Sequence, residues 1–308
     1  MDISVVVPCY NEQDNIAEIY ERLIKTFNKN KLELDKIILI DDGSRDDTWK
    51  KITQLQQLNK KEILGIKFSR NFGHQNAVIA GLTYCKSDLV LIIDADLQDP
   101  PEILGEMMLE MKKNKANAVF AKRISRQDTK FKKITASFFY RLFNKFSSTK
   151  IPEDVGDFRL IDKKIYNHLI NFSEQNPFIR GLVPWTGFKQ VPVNYHRNHR
   201  SKGKTGYGFF KMLNFTIDGI LSFSNLPIRL AYITSVISIF LLIVLIFYTL
   251  LGYFKGNTIP GWTSLTVMIL FFNSLNFFIL ALLGEYIGRI FNETKKRPRY
   301  IVSEVLEN

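Results

Sequence analysis

Leu89-Val-Leu-Ile-Ile-Asp94-Ala-Asp96-Leu-Gln98-Asp99 runs five apolar residues straight into three carboxylates, and Pro100-Pro101 closes it. A short, unbroken apolar run of this length, bounded by polar residues and proline, reads as a strand buried on both faces of a parallel sheet. Its end sets Asp94 and Asp96 one residue apart at a sheet rim, with Gln98 beside them. Two carboxylates this close call for a cation. Oxygen ligands suit Mg²⁺ or Mn²⁺, which binds through one or two carboxylates and completes its shell with substrate phosphates. The plainer reading is a solvated loop in which Asp99 caps the next helix.

The neighbouring sequence decides between these. Strands are expected at 3–7, 36–40, 63–68 and 89–93, with a weaker fifth at 118–121. Helices are expected at 15–28, 48–58, 75–85 and 101–113. This alternation predicts an α/β domain with a mostly parallel sheet and helices on both faces. Ligands of such sheets bind beyond the carboxyl ends of the strands. Polar clusters stand at four consecutive ends: residues 8–12, 41–47, 69–74 and 94–99. Connecting loops alone seldom carry that pattern. Neither G-x-G-x-x-G nor G-x-x-x-x-G-K-[ST] occurs, and the histidines His74, His168, His196 and His199 lack zinc-site spacing.

The net charge of +12 is concentrated. From Lys122 to Lys150 there are nine Lys/Arg residues against Asp128 alone, and from Lys189 to Lys211 six and no acid. A basic excess implies an anionic partner: nucleic acid, acidic lipid or a phosphorylated substrate. Two long apolar runs decide for lipid and against nucleic acid. The first, 228–254, holds a single charge, Arg229; the second, 263–287, holds Glu285, which pairs in helical register with Arg289. About 20 residues cross a bilayer core, so both are long enough. The link between them contains Gly256, Asn257, Pro260 and Gly261. The result is a two-helix transmembrane hairpin over 228–290. Cations flank the hairpin at Lys202, Lys204, Lys211, Lys295 and Lys296, while the link has only Lys255. The positive-inside rule puts the N-terminal domain (1–206) and the tail (291–308) in the cytoplasm, the chain being a multi-pass protein of the cell membrane. Residues 131–147 and 207–227 read as amphipathic helices lying in the bilayer interface. Cys9 and Cys85 form no disulfide framework, which suits a reducing compartment, and the chain opens on a strand rather than a signal peptide.

Four motifs carry a family resemblance. Val7-Pro-Cys-Tyr-Asn-Glu12, Asp41-Asp-Gly-Ser44, Arg70-Asn-Phe-Gly-His74 and Asp94-Ala-Asp-Leu-Gln-Asp-Pro-Pro101 resemble glycosyltransferase family 2. Gly156-Asp-Phe-Arg159, Arg200-Ser-Lys202, Tyr207-Gly208 and Gly284-Glu-Tyr-Ile-Gly-Arg289 extend the resemblance to the polyprenyl-phosphate glycosyltransferases over nearly the whole chain. That resemblance implies a GT-A fold, a divalent metal, a UDP-sugar donor (glucose or N-acetylglucosamine), an undecaprenyl phosphate acceptor and inversion at the anomeric carbon. It implies that Pro8, Tyr10, Asn11 and Glu12 line the nucleotide pocket, with Asp41, Asp42 and Asp94 completing it. Asp96, with Asp94 and Gln98, would hold Mg²⁺ or Mn²⁺. Arg123, Arg126, Arg200 and Lys202 or Lys204 would meet the acceptor phosphate; the insertion Gly203-Lys-Thr-Gly206 leaves the last choice open. Asp157 matches the family's catalytic aspartate. A phosphate monoester is mostly dianionic at neutral pH and needs no base, so Asp157 is expected to hold Arg159 or a sugar hydroxyl instead. A homo-oligomer, with a tetramer as one form, is also expected. The rival readings are a processive polysaccharide synthase, which would need a Q-x-x-R-W motif and more spans, and an inactive membrane adaptor, which would have lost Asp94 or Asp96.

Overall fold

A computed structural model describes residues 1–124, 155–175, 177–196 and 261–307, with scattered positions between 231 and 247. Its centre is an eight-stranded sheet in the order β7-β5-β6-β4-β1-β2-β3-β8. The strands are β1 (Asp2–Cys9), β2 (Glu33–Asp41), β3 (Ile63–Phe68), β4 (Leu89–Ile92), β5 (Ala118–Arg123), β6 (Val155–Asp162), β7 (Gln190–Tyr195) and β8 (Val302–Leu306). β1 pairs in parallel with β2 and β4, β2 with β3, and β5 with β7. β6 runs antiparallel between β4 and β5, and β8 antiparallel along β3. The sheet is therefore mixed but mostly parallel.

The helices are α1 (Ile16–Asn30), α2 (Thr48–Leu58), α3 (His74–Thr83), α4 (Leu104–Asn114), α5 (Lys163–Asn171), α6 (Ile179–Trp185) and α7 (Trp262–Thr294). Both faces of the central strands are covered, which is why β4 is apolar throughout and β1 is apolar from Val5 to Cys9. Val5, Val7 and Cys9 share a core cluster with Ile16, Ile19 and Leu23 of α1 and the methionines of α4. On the other face Gly81 of α3 lies against Val6 and Ile40. The α1 apolar residues recur three and four apart, as a helix packed on one side requires. α5 begins at a side-chain cap: Asp162 Oδ1 accepts from the Ile165 N–H at 3.0 Å.

The first five strands and four helices fall where the sequence predicts them, within a few residues. The tail differs. Given no strand in the sequence reading, the segment from 291 ends in β8, paired to β3 from Gly65 to Phe68. An exposed sheet edge is thereby covered.

The chain divides into two compact units; the second takes in 213–296, and the sheet with Arg297–Asn308 belongs to the first. In the second unit α7 is one helix of 33 residues, about 50 Å at the usual helical rise. Within it Phe271–Thr294 is long and apolar enough to cross a membrane, and is the one such helix among the described residues. Its Phe277, Leu280, Leu283 and Ile287 are all exposed. At every described position between 231 and 247 the chain is also helical, with Ile233, Phe240 and Phe247 exposed. The remainder of the first predicted span, the two interfacial segments and the Arg289 side chain lie outside the described residues.

Candidate active site

The strand order places the carboxyl ends of β4, β1, β2 and β3 side by side, so their four polar loops form one rim. The β1 loop is fastened to the β2 loop. Asn11, with a left-handed φ of 56°, donates its N–H to Ser44 Oγ at 2.9 Å and accepts from the Arg45 N–H at 2.8 Å. The Glu12 N–H donates to Thr48 Oγ1 at 2.9 Å. Of the residues expected at the nucleotide, Pro8 is buried within β1 opposite Ile40, Tyr10 is exposed on the rim, and Glu12 is half-buried beside Asn15.

Asp41 and Asp42 are both buried. Asp41 Oδ1 accepts from the Ser44 N–H at 2.9 Å, closing the turn, while its Oδ2 is buried without a hydrogen-bond partner. Asp42 binds a loop rather than standing open to a ligand. Its oxygens accept from the Phe72 N–H at 2.7 Å, the Gly73 N–H at 3.0 Å and Asn71 Nδ2 at 3.0 Å. Burial pushes its pKa up to about 6 in spite of these donors. Gly43 between Ser44 and Asp42 has φ 66°, and a Cβ there would lie 2.4 Å from the Arg70 carbonyl carbon. Only glycine lets the second strand end approach the third so closely.

Beside this rim the amino end of β6 meets the carboxyl end of β4, Ile92 pairing with Arg159. This antiparallel join brings Asp157 to Asp94. His74 Nε2 lies between them, 3.4 Å from Asp94 Oδ1 and 3.4 Å from Asp157 Oδ2. Arg180 of α6 grips Asp157 with both ends of its fork: Nε donates to Oδ1 at 2.9 Å and Nη2 to Oδ2 at 2.8 Å. Gln75 adds a third donor at 3.2 Å, and its Oε1 accepts from the Ile179 N–H at 2.9 Å. Burial alone would raise the Asp157 pKa, but Arg180 and His74 hold it well below the carboxylate range. Burial works against the His74 charge, yet Asp94 and Asp157 together lift its pKa to about 9. Burial raises Asp94 to about 6, with His74 pulling the other way.

Arg159 was one of the two partners expected for Asp157, a sugar hydroxyl being the other. The Arg159 guanidinium is instead buried among carbonyls, donating to Gly156 O at 3.0 Å, Asp157 O at 3.3 Å and Ile179 O at 3.4 Å. Residues two apart on a strand share a face, yet the Arg159 guanidinium reaches the Asp157 backbone oxygen rather than its carboxylate. Arg180, from a helix with no motif of its own, takes the carboxylate.

The metal-candidate loop continues from Asp94 through Asp96, whose Oδ1 accepts from the Gln98 N–H at 3.1 Å, and Leu97, buried with φ 61°. A left-handed leucine is rare, and such strain clusters at functional loops. Asp99 is wholly buried and accepts from Tyr195 Oη, which in turn accepts from Arg123 Nε at 3.2 Å. The Arg123 guanidinium lies over Gly156, where a Cβ would come within 3.0 Å of Nη2. Of the residues expected at the acceptor phosphate, Arg123 thus joins the site, whereas Arg126, Arg200, Lys202 and Lys204 lie outside the described residues. His74, Gln75, Arg180, Asp99 and Tyr195 were not predicted in these roles. The signals for any of them were the places of His74 and Asp99 at the ends of the third and fourth polar clusters.

Could these residues take Mg²⁺ or Mn²⁺? Among the described residues no three His, Cys, Asp or Glu side chains converge as a ready-made cage. An ion of this kind needs only one or two carboxylates when diphosphate oxygens supply the rest. Asp94 Oδ1 is buried with no hydrogen bond of its own, facing only the imidazole. The donor chemistry fits such an ion.

Residues 4–170 match the profile of glycosyl transferase family 2. The chain belongs to that family. This family 2 glycosyltransferase is 43% identical over 305 residues to an uncharacterised glycosyltransferase, YkcC, of Bacillus subtilis (strain 168), covering 98% of this chain and 93% of that protein. It is 38% identical over 307 residues to a prophage bactoprenol glucosyl transferase homologue of Escherichia coli (strain K12), covering 99% of each. Among solved structures, mannosyl-3-phosphoglycerate synthase of Rubrobacter xylanophilus is similar at TM-score 0.49 and 16% identity, over 72% of this chain and 73% of that one, a likeness too loose to build on.

Proposed function

We propose that this glycosyltransferase moves glucose, or N-acetylglucosamine, from a UDP-sugar to a polyprenyl phosphate at the cytoplasmic face of the membrane, with inversion. The observation that carries the reading is the full-length likeness to a bactoprenol glucosyl transferase homologue. A rim of four strand-end loops beside a saturated aspartate agrees with it. A phosphate oxygen of the lipid attacks the anomeric carbon, the bond from that carbon to the diphosphate breaks, and UDP leaves with the electron pair. No proton has to move. Asp157, already gripped by Arg180, His74 and Gln75, is suited to fixing those cations rather than to taking a proton. The loops bearing Tyr10, Asn11, Glu12 and Asp41 receive the nucleotide. Asp96 and Asp94, with Gln98 near, would hold Mg²⁺ or Mn²⁺, which would neutralise charge developing on the leaving diphosphate. Arg123 and the basic segments that follow would receive the acceptor phosphate.

Chain connectivity supports the two-span reading. The strands from β1 to β7 and β8 share one sheet, so the chain between β7 and β8 leaves and returns on the same side of any bilayer. If α7 crosses, a second crossing must precede it, and the apolar run at 228–254 is the candidate.

The test is incubation of membranes containing the protein with labelled UDP-glucose or UDP-N-acetylglucosamine and undecaprenyl phosphate, with and without EDTA. A lipid-soluble product carrying one sugar, lost with EDTA, is expected. A polymeric product, or label entering no lipid, would overturn the proposal.

A further inference from the structure

The C-terminal segment does more than add a strand to the sheet. The Tyr300 ring stacks on Phe68 with centroids 5.0 Å apart and planes 13° from parallel. Phe68 in turn meets Phe72 edge-on at 5.7 Å. Both geometries are favourable arrangements for aromatic pairs. The Ser69 N–H donates to Ile301 O at 3.0 Å, and Tyr300 Oη lies 3.4 Å from Thr83 Oγ1 at the far end of α3. Farther along, Trp49 Nε1 donates to Glu304 at 3.1 Å and Ser303 Oγ to Lys67 O at 3.1 Å.

The loop between β3 and α3 is therefore held from two sides. Asp42 holds Asn71, Phe72 and Gly73 from the β2 side. Tyr300 and Ile301 hold Phe68, Ser69 and, through Phe68, Phe72 from the other. What the loop delivers is His74, the first residue of α3, which reaches between Asp94 and Asp157. An edge cover alone would need only the β8 ladder. Tyr300 lies ahead of that ladder, at the base of the loop.

We propose that Tyr300 is a positioning residue of the active site, setting through Phe68 and Phe72 the loop that places His74 between the two carboxylates. The activity arm of its test rests on the transferase reading; the exchange arm does not. In the full-length protein, hydrogen exchange at the Phe72 and Gly73 amides is compared among wild type, Tyr300→Ala and Tyr300→Phe. Initial rates are measured with UDP-glucose and undecaprenyl phosphate in these forms, in His74→Gln and in the Tyr300→Ala/His74→Gln double variant. Tyr300→Ala should speed exchange at Phe72 and Gly73 about tenfold, while the β3 amides paired to β8 stay protected. It should lower kcat about tenfold and move KM for the donor less than about twofold, since a misplaced group costs the chemical step. Tyr300→Phe, which keeps the ring, should stay close to wild type. In the His74→Gln background, Tyr300→Ala should cost less than about twofold more, because both act on one element. Unchanged exchange at Phe72 and Gly73, or an equal penalty in both backgrounds, overturns the proposal. Equal loss of protection along all of β3 overturns it too, in favour of a simple edge cover. Should Tyr300→Ala not fold, Tyr300→Leu replaces it in each comparison. A wild type that transfers no sugar defeats the transferase reading, while the exchange result still decides this one.

Discussion

Asp94 and Asp157 stand at the meeting point of two antiparallel strands, each 3.4 Å from the same imidazole nitrogen, and their surroundings differ in almost everything else. Asp157 is 4% exposed and receives Arg180 twice and Gln75 once. Asp94 sits at the mouth of a strained loop, and its Oδ1 accepts no hydrogen bond. Burial raises Asp94 toward neutrality, whereas two cations hold Asp157 ionised against burial. A carboxylate with unused acceptor capacity attracts a further cation; one already saturated organises its neighbours. Two aspartates of one site are thus suited to different work, one toward a further cation and one toward the scaffold.

The sharpest way to break this contrast is on the open side. Asp96→Ala, which strips the half-buried loop of a carboxylate and leaves the Asp157 cluster intact, should lower transfer about a thousandfold or more. The fold should persist, checked by circular dichroism. Undiminished turnover in that variant would remove the metal from the proposal. On the saturated side the pattern should reverse, with stability hit hardest. Arg180→Met leaves a buried carboxylate short of its main partner and should cost about 3–5 kcal/mol in urea denaturation. The wild-type pH–rate profile should show no limb from Asp157 between about pH 5 and 8. A limb there that vanishes in Asp157→Asn would make Asp157 a base after all.

How much of this contrast was legible beforehand follows from where each group gets its partners. The Asp94–Asp99 loop was readable because an apolar run ending in acids is a local pattern, and the strand-end rule locates it. β1 to β5 and α1 to α4 were found for the same reason. β6 was not, because Asp157 and Arg159 interrupt its apolar run, and the side-chain partners of Asp157 lie far off in sequence. Arg180 reaches Asp157 from 23 residues away and Gln75 from 82. Gly156-Asp-Phe-Arg159 drew notice by resemblance alone, which named the aspartate and gave no pointer to Arg180. β7 alternates, but Pro192 inside it argues against a strand, and β8, mostly exposed, lacks the alternation altogether. The two long apolar runs posed the reverse case, since composition alone marks them.

The smallest effect expected is also the one that joins the two carboxylates. His74 stands at the amino end of α3, where the helix dipole disfavours a cation. It is charged there because Asp94 and Asp157 face it, with Arg180 opposing from α6. Its folded pKa of about 9 lies above the unfolded value near 6.5. A group raised in this way contributes its full stability below about pH 6.5, and the contribution is lost as pH rises through 9. In EDTA, wild type should therefore exceed His74→Gln by about 1–2 kcal/mol at pH 6, the gap narrowing toward pH 10. Urea denaturation of both proteins across that range measures it. A gap that widens with pH would mean that His74 is neutral in the fold, and that Asp94 and Asp157 are held by something other than the charge between them.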